Sequence, residues 1–234
     1  MLPLKDDIPS QHFPYVTIGL IVINILIFSF HMSLGRNFQN FSNAFGAIPF
    51  EITHQIDIPP SVPFPVFFTL ITSMFLHGGF WHIGGNMLYL WVFGDNVEDA
   101  MGSFRFLIFY LLCGVIASLA HISSEPNSLI PMVGASGAIS GILGAYLLLY
   151  PKAKVLTLII FFYFIRIIKL PALFVLSFWI VFQLISGTLS LSNKPGHGGV
   201  AWFAHIGGFF AGMILISAFK KKRIQLGLFR LKNE

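Results

Sequence analysis

The sequence predicts an all-α, polytopic membrane helix bundle with six transmembrane helices. Hydrophobic residues make up 56% of the 234-residue chain and charged residues only 10%, whereas a soluble domain carries roughly 25% charged residues. So few charges cannot coat a water-facing surface of this size, so we expect lipid to cover most of it. The chain also contains six separate apolar stretches, which indicates six membrane spans. Basic residues are concentrated between and after the later stretches, which is typical of cytoplasmic segments.

The six apolar stretches lie within one predicted membrane domain, 15–219. A membrane helix needs about 20 mostly apolar residues, and two of the stretches are shorter than this. The second begins with polar residues, and the fourth starts near Ser136 and stops at Pro151. The predicted spans are 15–32, 81–93, 104–121, 136–150, 171–190 and 201–219.

The segments outside the spans predict no soluble second domain. Residues 1–14 form a short cytoplasmic N terminus, and the proline-rich residues 35–65 form a structured first loop. Residues 152–170 connect the fourth and fifth spans, and the part 155–168 is predicted either to lie at the membrane interface or to extend the fourth helix. Residues 220–234 form a basic cytoplasmic tail.

The positive-inside rule decides between six and seven spans. With six spans and a cytoplasmic N terminus, Lys152, Lys154, Arg166 and Lys169 fall on the cytoplasmic side together with the basic tail. A seventh span at 155–168 would put the tail outside. The rule therefore favours six spans in a plasma or inner membrane, with both termini cytoplasmic. The tail is then a membrane anchor and no nucleic-acid partner is expected.

Polar side chains inside a span are costly and therefore mark candidate functional sites. The second span opens with His77-Gly-Gly-Phe-Trp-His82-Ile-Gly-Gly-Asn86. His82 and Asn86 are four residues apart and so share one helix face, where both can donate hydrogen bonds. An alternative that stays open is that they only hold neighbouring helices together.

A serine opens the fourth span, within Gly134-Ala-Ser136-Gly137. Free backbone N–H groups and the positive dipole end of a helix N-terminus can stabilise a developing oxyanion. The flanking glycines, Gly134 and Gly137, allow a substrate or another backbone to approach closely. The alternative is a serine whose hydroxyl only bonds the preceding helix turn.

A histidine opens the sixth span, within Ala204-His205-Ile-Gly-Gly208, and Gly212 follows one turn later. Gly208 and Gly212 predict a face for close helix contact. A similar stripe of small residues runs along one face of the fourth span and consists of Ser136, Ser140 and Gly144. If the stripes face each other, His205 comes within hydrogen-bond reach of Ser136. Six spans put both residues at one depth, whereas seven would separate them.

Together these residues predict serine acyl transfer by a dyad. His205 takes the proton of the Ser136 hydroxyl, which attacks a peptide carbonyl. Asn86, His82 and the Ser136 backbone N–H hold the oxyanion. The spans contain no acidic residue to orient His205, which favours a dyad over a triad. This chemistry needs no cofactor and no metal, but it needs water from an aqueous cavity on the outer side.

The motifs together resemble the rhomboid family of intramembrane serine proteases, over roughly residues 15–219. Each motif is weak alone, whereas their order and spacing together are specific. The four motifs are His82-Ile-Gly-Gly-Asn86, Gly94 to Gly102 with Glu98 between them, Gly134-Ala-Ser136-Gly137, and Ala204-His205 followed by Gly208 and Gly212.

The resemblance implies that Ser136 is the nucleophile, that His205 is the general base and that His82 and Asn86 belong to the oxyanion hole. It assigns His77 a structural role in the first loop. The fifth span and the loop 193–199 would form a mobile gate and cap. The substrates would be single-span transmembrane proteins, cut near their outer end.

Two departures from the family pattern affect this interpretation. Many members carry Trp-Arg in the first loop where Phe68-Thr69 stand here. Some members have a tyrosine where Ser140 stands, one turn after the serine, and its ring stacks on the base. In this chain another group must therefore hold His205.

Other function classes stay open on sequence alone. A rhomboid-like protein that binds membrane clients without cutting them typically lacks the serine or the histidine, and both are present. A metal enzyme, transporter or channel would use His77, His82, His121 and His205, but no His-Glu-x-x-His motif occurs. The predicted partners are transmembrane substrates and the lipid bilayer, and the sequence indicates no oligomeric state.

Overall fold

The computed structural model describes residues 1–161, 163–191, 199–222, 224 and 226–227. The helices in these ranges are α1 Tyr15–Ser33, α2 Phe38–Phe45, α3 Pro49–His54, α4 Thr69–Thr72, α5 Phe80–Met101, α6 Ser103–Ser124, α7 Ser136–Leu149, α8 Ala172–Ser190 and α9 Trp202–Phe219. The strands are β1 Leu2–Lys5, β2 Lys154–Phe161 and β3 Phe164–Pro171. The predicted cap loop, except for its last residue, and most of the predicted basic tail lie outside the described residues.

The long helices form the membrane bundle. Within the described ranges, α1, α6, α8 and α9 are each long and apolar enough to cross a membrane. Helix α5 qualifies together with the segment Val66–Phe75, which meets it at 82°. Helix α7 is apolar but has only 14 residues. The predicted membrane helix bundle is thus confirmed, whereas the count of six spans stays a prediction.

Helix α7 lies at the centre of the bundle. Every residue from Ala138 to Leu149 is buried, and the helix packs against α5, α6, α8 and α9. Its Tyr146 ring makes an edge-on contact with Phe93 of α5 at a centroid distance of 4.9 Å. A helix that is apolar all round belongs in the interior. Because its neighbours shield α7, it can be shorter than a lipid-facing span.

Glycines bring the backbones of α7 and α9 into direct contact. A Cβ atom at Gly212 would lie 1.9 Å from the carbonyl oxygen of Gly141, and one at Gly208 would lie 2.1 Å from that of Gly137. The predicted glycine face of α9 therefore meets α7. The closest approaches on the α7 side are at Gly137, Gly141 and Gly144, and of these Gly144 belongs to the predicted stripe of small residues.

The carboxylate of Glu98, near the end of α5, holds the first turn of α1. It accepts hydrogen bonds from the backbone N–H groups of Val16 (3.1 Å) and Thr17 (2.8 Å) and from the Thr17 hydroxyl (2.8 Å). It also accepts one from the Ser103 hydroxyl at 2.6 Å. N–H groups in the first turn of a helix have no hydrogen-bond acceptor inside the helix, and Glu98 supplies the acceptor for two of them. Gly102, with φ of 86°, then turns the chain into α6.

A three-stranded antiparallel sheet that was not predicted from the sequence joins the bundle between α7 and α8. Strands β2 and β3 form a hairpin with Lys154 opposite Pro171, and β1 pairs with the other edge of β2, with Leu2 opposite Leu158. The interpretation of 155–168 as a helix extension was therefore wrong. The segment is rich in isoleucine and phenylalanine, which favour strands once a partner is present.

The close contact of α7 and α9 predicts that Gly212→Ala is strongly destabilising. Its new methyl group meets backbone rather than a flexible side chain, so the two helices must separate. We expect the free energy of unfolding to fall by about 3 kcal/mol, the upper end of overpacking effects, with loss of any activity that depends on the α7–α9 distance. Thermal unfolding in detergent measures the effect.

Gly19→Ala on α1 is the matched control, because nothing lies within 4 Å of a Cβ atom there. We expect this variant to be as stable as the wild type or more stable by up to about 1 kcal/mol. Equal stability of the Gly212→Ala and Gly19→Ala variants would contradict the described helix contact.

The segment after β1 is bound to the ends of α5 and α7. The carboxylate of Asp6 accepts hydrogen bonds from the Asn96 amide at 2.8 Å and from the Tyr146 hydroxyl. Burial raises the pKa of Asp6 to about 6; the Tyr146 hydrogen bond opposes this rise, and the charges of Asp95 and Asp7 add to it. The folded protein thus holds this proton more tightly than the unfolded chain does.

This raised pKa predicts how stability depends on pH. The contribution of Asp6 is fully present below its ordinary pKa of 3.8 and is lost as pH rises through about 6. Asp6→Asn keeps a hydrogen-bond acceptor without the charge. We expect this variant to be more stable than the wild type at pH 7.5 and similar to it at pH 3.5, in thermal unfolding across that range.

Asp57→Asn, in an exposed part of the first loop, is the control and should leave the difference between the two pH values unchanged. If Asp6→Asn lost stability equally at both pH values, the described burial of this carboxyl would be contradicted.

Candidate active site

Ser136 is the first residue of α7 and is half-buried. The N–H of Gly134, two residues earlier, donates to the Ser73 carbonyl at 2.8 Å, and Gly134 has φ of 131°, which favours glycine. The first backbone bond of this turn runs from the Ile139 N–H to the Ala135 carbonyl at 3.0 Å. The backbone N–H of Ser136 therefore precedes the helix ladder and has no partner within the helix.

His205 lies in the first turn of α9 and contacts Ser136. Its Nε2 atom is 2.8 Å from the Ser136 hydroxyl oxygen, so the hydroxyl can donate to the ring. The two residues are 69 positions apart in the chain, and the α7–α9 contact brings them together. Gly137 and Gly208, immediately beyond the pair, keep the backbones close enough for this distance.

Gln183 of α8, which was not predicted from the sequence as a site residue, contacts the other side of the His205 ring. Its Oε1 atom lies 2.8 Å from Nδ1 of His205, and the residue is only 5% exposed. The available signal was a carboxamide in the middle of an otherwise apolar helix, which is costly in a span unless bonded.

Two tryptophan rings pack near the histidine. The Trp179 ring of α8 is tilted at a centroid distance of 5.8 Å from the His205 ring, and the Trp202 ring is perpendicular at 6.3 Å. Ser140, which stands in the position of the family tyrosine, donates its hydroxyl proton to the Ser136 carbonyl at 2.6 Å. It therefore bonds its own helix, and α8 and α9 supply the aromatic surroundings instead.

The His82 ring lies against Gly134, the glycine that precedes Ser136. A Cβ atom at Gly134 would lie 2.7 Å from Nε2 of His82 and 3.6 Å from the Ser136 hydroxyl oxygen. The Nδ1 atom of His82 accepts a hydrogen bond from the Gly78 N–H at 3.4 Å. This brings His82 to the serine side of the site, on the first turn of α5.

Asn86 lies one helix turn beyond His82 and is 8% exposed. Its Nδ2 atom is buried and has no hydrogen-bond partner among the described residues. A buried donor without a partner is uncommon and needs an explanation, such as an unfilled binding position. The structure thus leaves an amide donor available on the helix that carries His82.

His77 lies behind His82, as an edge-on ring at a centroid distance of 5.1 Å. It is fully buried, and neither ring nitrogen has a partner within the described part of the chain. The structure thus places it next to His82. Within the same part, no three or more histidine, cysteine or acidic side chains form a group that could hold a metal ion.

The arrangement is suited to proton transfer from an alcohol to an imidazole. A hydroxyl contacts one nitrogen of a ring whose other nitrogen is bonded to an amide oxygen. The serine begins helix α7, and the His82 ring lies against the glycine that precedes it. Such a pair at a helix N-terminus has the groups that nucleophilic catalysis by a serine requires.

Fold and site together define a class of protein, a multi-pass integral membrane protein with a serine–histidine pair inside its helix bundle. The family model described as the rhomboid domain matches residues 65–222. The chain therefore belongs to the rhomboid family.

Individual relatives agree with this assignment. The chain is 30% identical to RHOMBOID-like protein 1 of Arabidopsis thaliana over 241 residues, which cover 94% of this chain and 57% of the relative. It is 46% identical to Rhomboid protease GluP of Bacillus subtilis over 78 residues, 33% of this chain and 15% of that protein. It is 38% identical to Rhomboid protein 1, mitochondrial, of Saccharomyces cerevisiae over 92 residues, 38% of this chain and 27% of that protein. The chain thus spans 57% or less of the length of these relatives.

Proposed function

We propose that this protein is an intramembrane serine endopeptidase that cleaves single-span membrane proteins near the outer face of the membrane. The observation that carries the proposal is the 2.8 Å contact between the Ser136 hydroxyl and Nε2 of His205. Membership of the rhomboid family, some of whose members are named as proteases, supports the same reaction.

The proposed reaction begins when the Ser136 oxygen attacks the carbonyl carbon of a peptide bond. As this bond forms, the hydroxyl proton moves to Nε2 of His205. The tetrahedral intermediate then collapses, the C–N bond breaks, and His205 gives the proton to the leaving amine. Water attacks the resulting ester with His205 again as the base, which releases the acid product and restores the serine.

The negative charge on the tetrahedral oxygen needs donors that are in place beforehand. The Ser136 backbone N–H at the start of α7 is one, and the Asn86 amide is another, since its Nδ2 atom has no other partner among the described residues. His82 lies against the same glycine that precedes the serine. We assign these three groups to the oxyanion hole, as expected from the sequence.

The position of the site in the bundle supports the proposed substrate class. Ser136 opens a short helix enclosed by longer ones, so a peptide must enter from the side of the bilayer, near one surface. With both termini cytoplasmic, that surface is the outer one. Single-span proteins whose helix unwinds near this surface are therefore the proposed substrates, in a plasma or inner membrane.

The first prediction of this proposal concerns Ser136→Ala, which removes the nucleophile. We expect cleavage of a labelled single-span substrate in liposomes to fall by at least about 10³-fold, because a serine enzyme loses most of its catalysis with its serine. Cleavage is measured by the appearance of the labelled fragment. A serine-directed fluorophosphonate should label the wild type and not the variant.

Ser140→Ala is the matched control, because this hydroxyl bonds only its own helix. It should cleave and be labelled like the wild type. Equal cleavage by wild type and Ser136→Ala would overturn the proposed nucleophile. Binding of the substrate without cleavage by the wild type would favour a client-binding rhomboid protein.

A second prediction concerns Asn86→Ala. Removing one oxyanion-hole donor lowers kcat by about 10² to 10³-fold, with little change in KM. The free energy of unfolding should be unchanged or higher, because the variant removes a buried donor that lacks a partner. Kinetics and thermal unfolding of the same preparation test both.

Asn24→Ala is the control, since Asn24 is also buried but bonds the Leu20 carbonyl of its own helix. It should leave kcat unchanged. An Asn86→Ala variant that is less stable and fully active would show that Asn86 only joins helices.

A further inference from the structure

Gln183 is exceptional within α8. Its neighbours along the chain, Phe182 and Leu184, are 52% and 38% exposed, whereas Gln183 is 5% exposed. Apart from it, the polar side chains of this helix are serine and threonine hydroxyls and the Trp179 indole. A carboxamide away from water is costly unless its groups are bonded. Its bond to His205 explains how α8 accommodates it.

The hydrogen-bond roles at this contact follow from the Ser136–His205 pair. A neutral imidazole carries one proton, on either Nδ1 or Nε2. For Nε2 to accept the serine proton, it must present a lone pair, so the ring proton must be on Nδ1. The Oε1 atom of Gln183, 2.8 Å from Nδ1, then accepts a hydrogen bond from this N–H group. The contact therefore favours the form of the ring that can act as a base.

A neutral amide also suits the surroundings of the ring. A carboxylate in this position would add a charge inside the membrane, which is costly. The amide oxygen directs its negative dipole end at Nδ1–H and stabilises the protonated ring without carrying a full charge. Trp179, one turn earlier on α8, adds a ring contact to His205 from the same side.

We infer that Gln183 is a positioning residue that fixes the orientation and the protonated nitrogen of His205 and thereby makes α8 part of the active site. This inference rests on the proposed protease function. In some family members a tyrosine holds the catalytic histidine, and Ser140 stands in its place here. Gln183 is then the group that holds His205 in this chain. Gln183 touches the base and not the substrate, so its effect is on kcat.

The experiment compares Gln183→Met and Gln183→Leu, two apolar side chains of similar size without the acceptor, with the wild type. We expect kcat to fall by about 10²-fold, within the range of general-base effects, and KM to stay the same. Thermal unfolding should be unchanged or improved. The matched control is Thr188→Val on the same helix, because the Thr188 hydroxyl bonds only the Ile185 carbonyl; it should retain the wild-type kcat.

Two further measurements separate positioning from a structural role. Nitrogen NMR of histidine-labelled protein should place the His205 proton on Nδ1 in the wild type and distribute it over both nitrogens in Gln183→Met. Gln183→Glu keeps the acceptor and should stay active, and the acid limb of its kcat–pH profile should move to higher pH, because a carboxylate favours the protonated ring. His82 of α5 and His121 of α6 are the other titratable groups near the ring and are the same in every variant.

Wild-type kcat together with an unchanged Nδ1–H signal in both apolar variants would overturn the inference. If one apolar variant does not fold, the other apolar variant and the kcat–pH profile of Gln183→Glu still test the inference. An acid limb of Gln183→Glu at the wild-type pH would also overturn the inference. Failure of the proposed function is distinguishable, because Ser136→Ala would then cleave like the wild type while the NMR comparison would still report the ring proton.

Discussion

The backbone contact between α7 and α9 is the constraint on which the rest of the structure depends. Gly137 and Gly208 meet near the ends of the helices that carry Ser136 and His205 in their first turns. Gly141 and Gly212 meet one turn further in. Any side chain in these positions would separate the helices by more than the 2.8 Å contact tolerates. The same contact encloses α7, which explains how a 14-residue helix lies inside a membrane protein.

Much of this arrangement was predictable because membrane segments leave few alternatives. Apolar stretches predicted the helices, and α1, α8 and α9 begin and end within two residues of the expected bounds. A glycine face on the sixth span and a histidine beside it predicted the contact with the serine-bearing helix. The stripe predicted on that helix includes Ser136 and Gly144, which both contact α9. The close approaches at Gly137 and Gly141 were not predicted, because small side chains of either kind satisfy the sequence pattern and only glycine satisfies the observed distances.

The sheet and Gln183 could not be predicted, for different reasons. The hairpin of β2 and β3 is stabilised partly by β1, more than 140 residues earlier in the chain, and long-range pairing leaves no local signal. Its apolar sequence also fits a helix, since periodicity cannot separate short apolar strands from buried helices. A lone glutamine in α8 has many possible partners, and choosing His205 requires the relative rotation of α8 and α9.

A structure of the protein in lipid after reaction with a serine-directed fluorophosphonate tests the central claim most directly. The account predicts phosphorus bonded to the Ser136 oxygen, the His205 ring in contact with it and still bonded to Gln183, and α7 and α9 touching at their glycines. Reaction at another residue, or a His205 ring separated from Ser136 by lipid or another helix, would contradict it.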